Sequence, residues 1–230
     1  MGAIVLLSGG LDSAVNLKQA LDDVGVAVAI TFDYGHRAAQ REAACAALMC
    51  QQLEVPHRLL RLGWLAEICA TGLVDRGAPV PEMTAEGLEG PAVTSGETAR
   101  AVWVPNRNGI FVNIGAAFAE ALGADRVVAG FNAEEAATFP DNSAEFAAAA
   151  TSALRLSTRT GVRVVSYTAE LRKADIVRLG RRHGAPIPSV WSCYRGGAEH
   201  CGRCESCARL ERALREAGAW EWFCSQRRLP

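Results

Sequence analysis

Short apolar runs, of the kind that form buried β-strands, alternate along this chain with stretches that have helical periodicity. The predicted strands are residues 4–7, 26–32, 58–62, 126–129 and 162–166. The predicted helices are residues 14–24, 38–53, 111–122, 144–156, 174–183 and 208–217. Such alternation is typical of a parallel sheet covered by helices. The sequence therefore predicts an α/β fold with a Rossmann-like parallel sheet of about five strands.

Two stretches do not follow this alternation of predicted strands and helices. Residues 71–100 are rich in Gly, Pro, Thr and Glu and have little periodicity, and cysteines cluster after residue 190. A chain of 230 residues has room for one large domain and a small appendage, but not for a second catalytic domain. We predict a nucleotide-binding catalytic domain at 1–185, with an insertion or lid at 64–101, and a helical zinc-binding segment at 186–230.

The overall charge and hydropathy exclude two classes of partner. The formal net charge is -1, so the totals show no electrostatic footprint for nucleic acid. The apolar stretch 109–123 is interrupted by Asn113 and Glu120 and is shorter than the roughly 20 apolar residues that a bilayer requires. The N-terminus lacks the basic region and cleavage site of a signal peptide. We expect a cytoplasmic protein that binds neither nucleic acid nor membrane.

A glycine-rich motif, Ser8-Gly9-Gly10-Leu11-Asp12-Ser13, lies where the first predicted strand gives way to the first helix. Backbone N–H groups and the positive end of the helix converge at such a junction, which favours a bound anion. The glycines permit a tight turn, and the two serine hydroxyls add donors. The alternative is an ordinary turn in which Asp12 or Ser13 caps the helix. The motif lacks the Gly-Lys-Ser/Thr ending of a Walker A loop, so γ-phosphate transfer of that type is not expected.

Two basic residues are candidates for contact with the same anion. Lys173 is predicted in the first turn of a helix, where the macrodipole disfavours a cation unless an anion binds there. Arg107, in Val104-Pro105-Asn106-Arg107-Asn108 before a helix, could hold a phosphate through two hydrogen bonds. The alternatives are a solvated surface lysine and a loop arginine that pairs with a nearby carboxylate.

Four of the eight cysteines form a cluster with metal-ligand spacing: Cys193, Cys201, Cys204 and Cys207. Four thiolates in a short loop can close a tetrahedral Zn²⁺ site, and a site with four protein ligands is structural rather than catalytic. An iron–sulfur cluster also accepts four thiolates. A nucleic-acid-binding zinc ribbon is a further alternative, but the arginines of this segment interleave with glutamates and form no basic patch.

The glycine-rich motif resembles, residue for residue, the phosphate loop of the PP-loop ATP pyrophosphatase superfamily. Further motifs in the same order resemble the 7-cyano-7-deazaguanine synthase family within it. They are Val104-Pro105-Asn106-Arg107-Asn108, Phe139-Pro140-Asp141, Lys173, and Trp191-Ser192-Cys193-Tyr194 leading into the other cysteines. The resemblance spans most of the chain.

The resemblance implies a carbon–nitrogen ligase that uses ATP and Mg²⁺. In such an enzyme 7-carboxy-7-deazaguanine is activated as an acyl-adenylate, free ammonia forms the amide, and a second activation drives dehydration to the nitrile. The motif 8–13 with Phe32 and Tyr34 would bind the nucleotide, and Lys173, Arg107 and Asp12 would act in catalysis. One structural Zn²⁺ per chain and a homodimer are also implied.

The same resemblance places Phe139 and Asp141 in the substrate pocket. Phe139 could stack on the bicyclic base, and Asp141 could accept hydrogen bonds from its guanine-type edge. The local alternative is a turn with a helix cap at Asn142 or Ser143. Relatives commonly have Cys-Arg at these two positions.

Two further positions depart from the family pattern. His36 follows Tyr34-Gly35 where relatives commonly have glutamine, and its role is open. Arg172 replaces a usual threonine at a helix start, which removes a predicted side-chain cap.

Competing functions are another PP-loop chemistry and a non-catalytic binding module. The first covers tRNA thiolation and amidation of a different acid. Thiolation needs a reactive cysteine pair beside the nucleotide, which the scattered cysteines do not obviously supply. The intact phosphate loop, with Lys173 and Arg107, argues against a module without catalysis.

Overall fold

A five-stranded parallel sheet forms the centre of the protein, whose computed structural model describes residues 2–83 and 95–230. The strands are β1 (Ala3–Leu6), β2 (Val26–Asp33), β3 (His57–Arg61), β4 (Arg126–Val128) and β5 (Arg163–Val165). Their order across the sheet is β3-β2-β1-β4-β5, and every neighbouring pair is parallel. The predicted α/β fold is confirmed.

Ten α-helices connect and follow the strands in the described residues. They are α1 (Leu11–Asp23), α2 (Ala39–Gln52), α3 (Trp64–Glu67), α4 (Ser95–Val102), α5 (Arg107–Leu122), α6 (Ala133–Ala136), α7 (Ala144–Ser157), α8 (Lys173–His183), α9 (Glu205–Glu216) and α10 (Trp220–Gln226). Two short 3₁₀ helices span Pro140–Asn142 and Ile187–Ser189.

Helices α1 and α5 are among those that begin earlier than the apolar periodicity predicts. Helix α1 begins at Leu11, so the last residues of the glycine-rich motif form its first turn. Helix α5 begins at Arg107 rather than at residue 111, because the chain turns at Asn106, whose φ of 51° is left-handed and whose carbonyl accepts the bond from Ile110 N. Periodicity misses both starts because the first turns carry polar side chains that face the site.

Helices cover both faces of the sheet, as expected for parallel strands. One buried cluster joins Val5 of β1 to residues of α1, α2, α8, α9 and α10. The other joins Ile4 of β1 to residues of α5 and α7. Successive residues of β1 therefore point into opposite layers, and the strand is buried on both sides.

The C-terminal segment 186–230 contributes to the first of these layers. Leu210, Leu214 and Phe223 are buried in the same cluster as Val5 and Leu17. The segment predicted as a metal-binding appendage thus also completes one face of the core.

The predicted insertion at 64–101 falls partly on residues 84–94, which lie outside the described residues. Of the described part, Leu65, Leu73 and Val80 are buried. Residue Met83, just before the undescribed residues, is hydrogen-bonded to the cysteine-rich segment, since Met83 N donates to Arg203 O at 2.9 Å. The role of a lid stays a prediction. Within residues 2–83 and 95–230, every helix is too short or too polar to cross a bilayer.

Candidate active site

The glycine-rich loop joins the end of β1, the central strand, to the start of α1. Gly9 has φ +77°, and a Cβ there would lie 2.7 Å from the carbonyl oxygen of Glu42. A side chain would be excluded on both counts. The N-cap of α1 is Gly10, and no side chain caps the helix there. The alternative in which Asp12 or Ser13 caps α1 is therefore wrong.

The two serine hydroxyls of the loop hold its shape from within. Ser8 Oγ and Ser13 Oγ lie 3.1 Å apart, and Ser13 Oγ donates to Gly10 O at 3.1 Å. Gly130, two residues after the end of β4, lies against this loop, because a Cβ on it would be 2.7 Å from Ser13 N. A glycine at the end of a strand was the available sequence signal for this close approach, and sequence reasoning missed it.

Lys173, the first residue of α8, reaches across to the loop. Its Nζ lies 2.7 Å from Asp12 Oδ2 and 2.7 Å from Glu135 Oε1, and the residue is 8% exposed. The alternative of a solvated surface lysine is therefore wrong. Burial alone would lower the pKa of Lys173, but the two carboxylates raise it well above its ordinary value.

The two carboxylates beside Lys173, those of Asp12 and Glu135, have different surroundings. Burial raises the pKa of Asp12, and Lys173 only partly opposes that rise. Asp12 Oδ1 is buried and has no hydrogen-bond partner among the described residues. Glu135, which sequence reasoning missed, is brought in by the short helix α6, where Asn132 caps the helix by accepting from Glu135 N at 2.9 Å. With both carboxylates ionised the cluster carries a net negative charge.

The start of α8 is capped by another element. Arg172 makes no side-chain cap, in agreement with the loss expected from its identity. Glu134 of α6 supplies the acceptor instead, since its Oε1 lies 2.9 Å from Lys173 N. This carboxylate holds the first turn of α8, and with it Lys173, beside the loop.

Arg107 enters from the first turn of α5. Its Nη1 donates to the hydroxyl of Tyr34, just beyond β2, at 3.2 Å. The guanidinium carbon lies 6.0 Å from the centre of the same ring. Tyr34 in turn stacks on the buried His36, at 4.0 Å between ring centres, and His36 Nε2 lies 2.9 Å from Glu42 Oε2.

Phe139 and Asp141 lie in the connection between α6 and α7. Asp141 belongs to a 3₁₀ helix, and its Oδ1 accepts from Asn142 Nδ2 at 3.1 Å. Burial raises the pKa of Asp141, and Arg107 opposes this. Ser143 caps α7 through Phe146 N at 3.0 Å, as the local alternative proposed, and this cap coexists with placement of Phe139 and Asp141 at the cavity.

One cavity of about 270 Å³ brings these elements together. Most of the predicted nucleotide, catalytic and substrate residues line it: Ser8, Gly10, Leu11, Asp12, Ser13, Phe32, Tyr34, Arg107, Phe139, Asp141 and Lys173. Gly9 instead packs toward the backbone of Glu42. The glycine-rich loop, cationic side chains and the half-buried carboxylate of Asp141 near an aromatic ring thus share one space.

The four clustered cysteines form a compact group beside this cavity. Their Sγ atoms all lie within 4.8 Å of one another. Backbone N–H groups donate to two of them: Arg195 N and Cys201 N to Cys193 Sγ at 3.4 Å, and Cys204 N to Cys201 Sγ at 3.3 Å. Such bonds stabilise thiolates, so the donor set fits a thiophilic metal ion.

A buried ion pair connects the cysteine group to the cavity, and sequence reasoning missed it. Glu205, next to Cys204, is 5% exposed and accepts from Arg209 Nη2 at 2.6 Å. Both residues line the cavity. Spacing of four residues on a helix indicates such a pair, but only the fold shows that it faces the site.

Comparisons with known proteins agree over nearly the whole chain. The family model described as queuosine biosynthesis protein QueC matches residues 2–218. A protein from Desulforamulus reducens named 7-cyano-7-deazaguanine synthase is 53% identical over 218 residues, which is 95% of each chain. Relatives with the same name come from Desulforudis audaxviator, 54% identical over 95% of this chain and 98% of the relative, and from Methanosarcina mazei, 45% identical over 95% of each.

Proposed function

The chain belongs to the QueC family of queuosine biosynthesis proteins, and from that membership we propose that it is an ATP-dependent ligase that makes 7-cyano-7-deazaguanine. The substrate is 7-carboxy-7-deazaguanine, and free ammonia supplies the nitrogen. The observation that carries this proposal is the shared cavity in which the phosphate loop meets Phe139 and Asp141. A nucleotide and a planar acid bound there would have their reacting groups side by side.

The reaction needs a leaving group on a carboxylate. Attack of the substrate carboxylate oxygen on the α-phosphate forms an acyl-adenylate and releases pyrophosphate. Ammonia then displaces AMP, loses a proton and gives the amide. The amide oxygen is adenylated by a second ATP with release of pyrophosphate, and loss of AMP and of both amide protons leaves the nitrile. Both activations use the same phosphate site.

The cationic and anionic residues of the cavity would bind different parts of the two substrates. The loop amides and Arg107 would hold phosphate oxygens, and Arg107 is kept in position by Tyr34. Lys173 has two of its three N–H groups directed at carboxylates, which leaves one for a phosphate oxygen. Asp141 would accept from the N–H edge of the base.

The Asp12–Glu135–Lys173 cluster fits Mg²⁺. A hard cation prefers its net negative charge and Asp12 Oδ1, which has no partner within residues 2–83 and 95–230, whereas a bare triphosphate would be repelled. When bound with ATP, Mg²⁺ would offset the charge of the departing pyrophosphate. Asp12 would hold it.

Zinc is the metal that we propose for the cysteine group, one ion per chain, in a structural role. Four thiolates leave no open coordination position for catalysis. The ion would hold the segment that carries Glu205 and Arg209 against the cavity. A homodimer, implied by the family resemblance, is proposed on that ground alone, and sedimentation equilibrium tests it.

The competing PP-loop chemistry, tRNA thiolation, finds little support among the scattered cysteines. Burial raises the pKa of Cys45 to about 11 and that of Cys50 to about 12, so neither is a ready nucleophile. Neither residue lines the cavity.

The decisive assay incubates the protein with 7-carboxy-7-deazaguanine, ammonium and Mg·ATP, and follows the base by mass together with AMP and pyrophosphate. We expect conversion to the nitrile with one AMP released for each activation. Absence of the nitrile, with AMP formed from a different acid, would leave only the adenylating chemistry. Metal analysis of the purified protein distinguishes zinc from iron.

A further inference from the structure

Trp103 places a second aromatic ring beside Phe139. The two ring centres lie 6.0 Å apart and the ring planes are inclined by only 8°. Both residues line the cavity of the candidate active site and also a more open cleft next to it. Phe139 comes from the α6–α7 connection, whereas Trp103 comes from the link between α4 and α5, so the pair is assembled only by the fold.

The backbone on each side fixes both rings. Val102 and Val104, the neighbours of Trp103, are buried in one apolar cluster, which anchors the chain on either side of the indole. Phe139 N donates to Glu135 O at 2.7 Å, and Phe139 O accepts from Asn142 N at 3.0 Å. The backbone therefore holds the two side chains next to each other without a ligand.

With ring centres 6.0 Å apart the two rings are too close for a planar ligand to lie between them, which needs about 7 Å, but two nearly parallel rings can together offer one aromatic surface to one face of such a ligand. A deazaguanine is a flat bicycle with apolar faces, and its N–H edge offers two donors that match the two oxygens of a carboxylate. Asp141 supplies such a carboxylate two residues after Phe139. The adenine of ATP offers a donor beside an acceptor on the corresponding edge, which suits a carboxylate less well.

We propose that Trp103 and Phe139 together form the stacking surface for the planar base, and that Trp103 is a substrate-binding residue of this enzyme. The inference rests on the proposed function and adds a second ring to the surface on which the base stacks. Trp103 makes no contact with the reacting carboxyl group in this role, so its loss affects binding of the base rather than the chemical steps.

Steady-state kinetics of Trp103→Leu test this role. We expect the KM for 7-carboxy-7-deazaguanine to rise about tenfold, as loss of one base–aromatic stack does, while kcat and the KM for ATP stay unchanged. Trp103→Phe keeps a flat ring and should restore most of the affinity. Trp64→Leu is the matched control, since Trp64 is 48% exposed and lies outside the cavity, and it should behave as wild type.

Fluorescence gives a readout that does not depend on the leucine variant folding. Addition of the base without ATP should quench tryptophan emission in the wild type, and Trp103→Phe should lose the larger share of that quench, whereas Trp64→Phe keeps it. An unchanged base KM in Trp103→Leu, a rise in the KM for ATP instead, or an undiminished quench in Trp103→Phe would overturn the inference alone. A wild-type protein that neither binds nor converts the base overturns the proposed function and the inference with it.

Discussion

Lys173→Met should lower the free energy of unfolding of the protein. It leaves Asp12 and Glu135 without the cation that lies 2.7 Å from each. Breaking a buried ion pair by removing one partner costs about 3–5 kcal/mol. The side chain of Glu135 is 30% exposed and both carboxylates line a cavity. We therefore expect the lower end of the range, a loss of about 3 kcal/mol in the free energy of unfolding at neutral pH.

The loss depends on pH in a defined direction. Burial already raises the pKa of Asp12 above its ordinary value of 3.8, and Lys173 opposes the rise. Without Lys173 the pKa rises further, so between the ordinary and the raised pKa the native variant binds more protons than its unfolded form. The stability of the variant relative to wild type should therefore recover as pH falls through that window.

Urea unfolding followed by circular dichroism, at several pH values, measures both effects. Adding Glu135→Gln to Lys173→Met should recover part of the lost stability, because one unpaired carboxylate is neutralised. The chain's other lysine provides the matched control: Lys18 pairs with Asp22 on the surface of α1, and Lys18→Met should cost less than about 1 kcal/mol. If Lys173→Met is as stable as wild type at neutral pH, or its deficit is the same at every pH, Lys173 does not stabilise the fold by neutralising these two carboxylates.

Four further substitutions test separate parts of the molecule. Cys204→Ser should release the metal and lower the melting temperature, whereas Cys224→Ser, an exposed cysteine outside the cluster, should do neither; retention of one metal ion by Cys204→Ser refutes the assignment. Gly9→Ala should raise the KM for ATP, because its φ is +77° and its Cβ would lie 2.7 Å from a carbonyl oxygen; a normal KM argues against a rigid loop. Asp141→Asn should raise the KM for the base about 10- to 100-fold through loss of charged hydrogen bonds, and an equal rise for ATP would contradict its role. Glu134→Ala should cost about 1 kcal/mol of stability as a lost helix cap, and Glu134→Gln clearly less; equal losses would show that the cap is unimportant.

The sheet and the position of the glycine-rich loop between β1 and α1 could be predicted from sequence because their determinants are local. The apolar runs of β1 and β2 and the glycines beside Asp12 are read directly from neighbouring residues. The start of α5 at Arg107 could not be predicted from the sequence, because the first turn of the helix is polar and the residue before it, Asn106, has a left-handed backbone conformation.

Two carboxylates that pair with cationic residues of the site, Glu135 and Glu205, could not be predicted from the sequence. Glu135 and Glu205 stand among polar residues that look like ordinary solvated helix positions. They become site residues only because α9 packs against α8 and because Glu134 and Glu135 of α6 bind Lys173 at the start of α8. Long-range packing of this kind leaves no periodic trace in a single sequence.

The burial of Val5 and Leu17 against Leu210, Leu214 and Phe223 has a consequence for synthesis on the ribosome. The central strand is translated well before the helices that cover one of its faces. A nascent chain that lacks residues 205–226 keeps that apolar surface open to solvent and to other chains. Completion of this enzyme's core therefore waits until α9 and α10 have left the ribosome, and α9 itself carries Cys207 of the cysteine cluster.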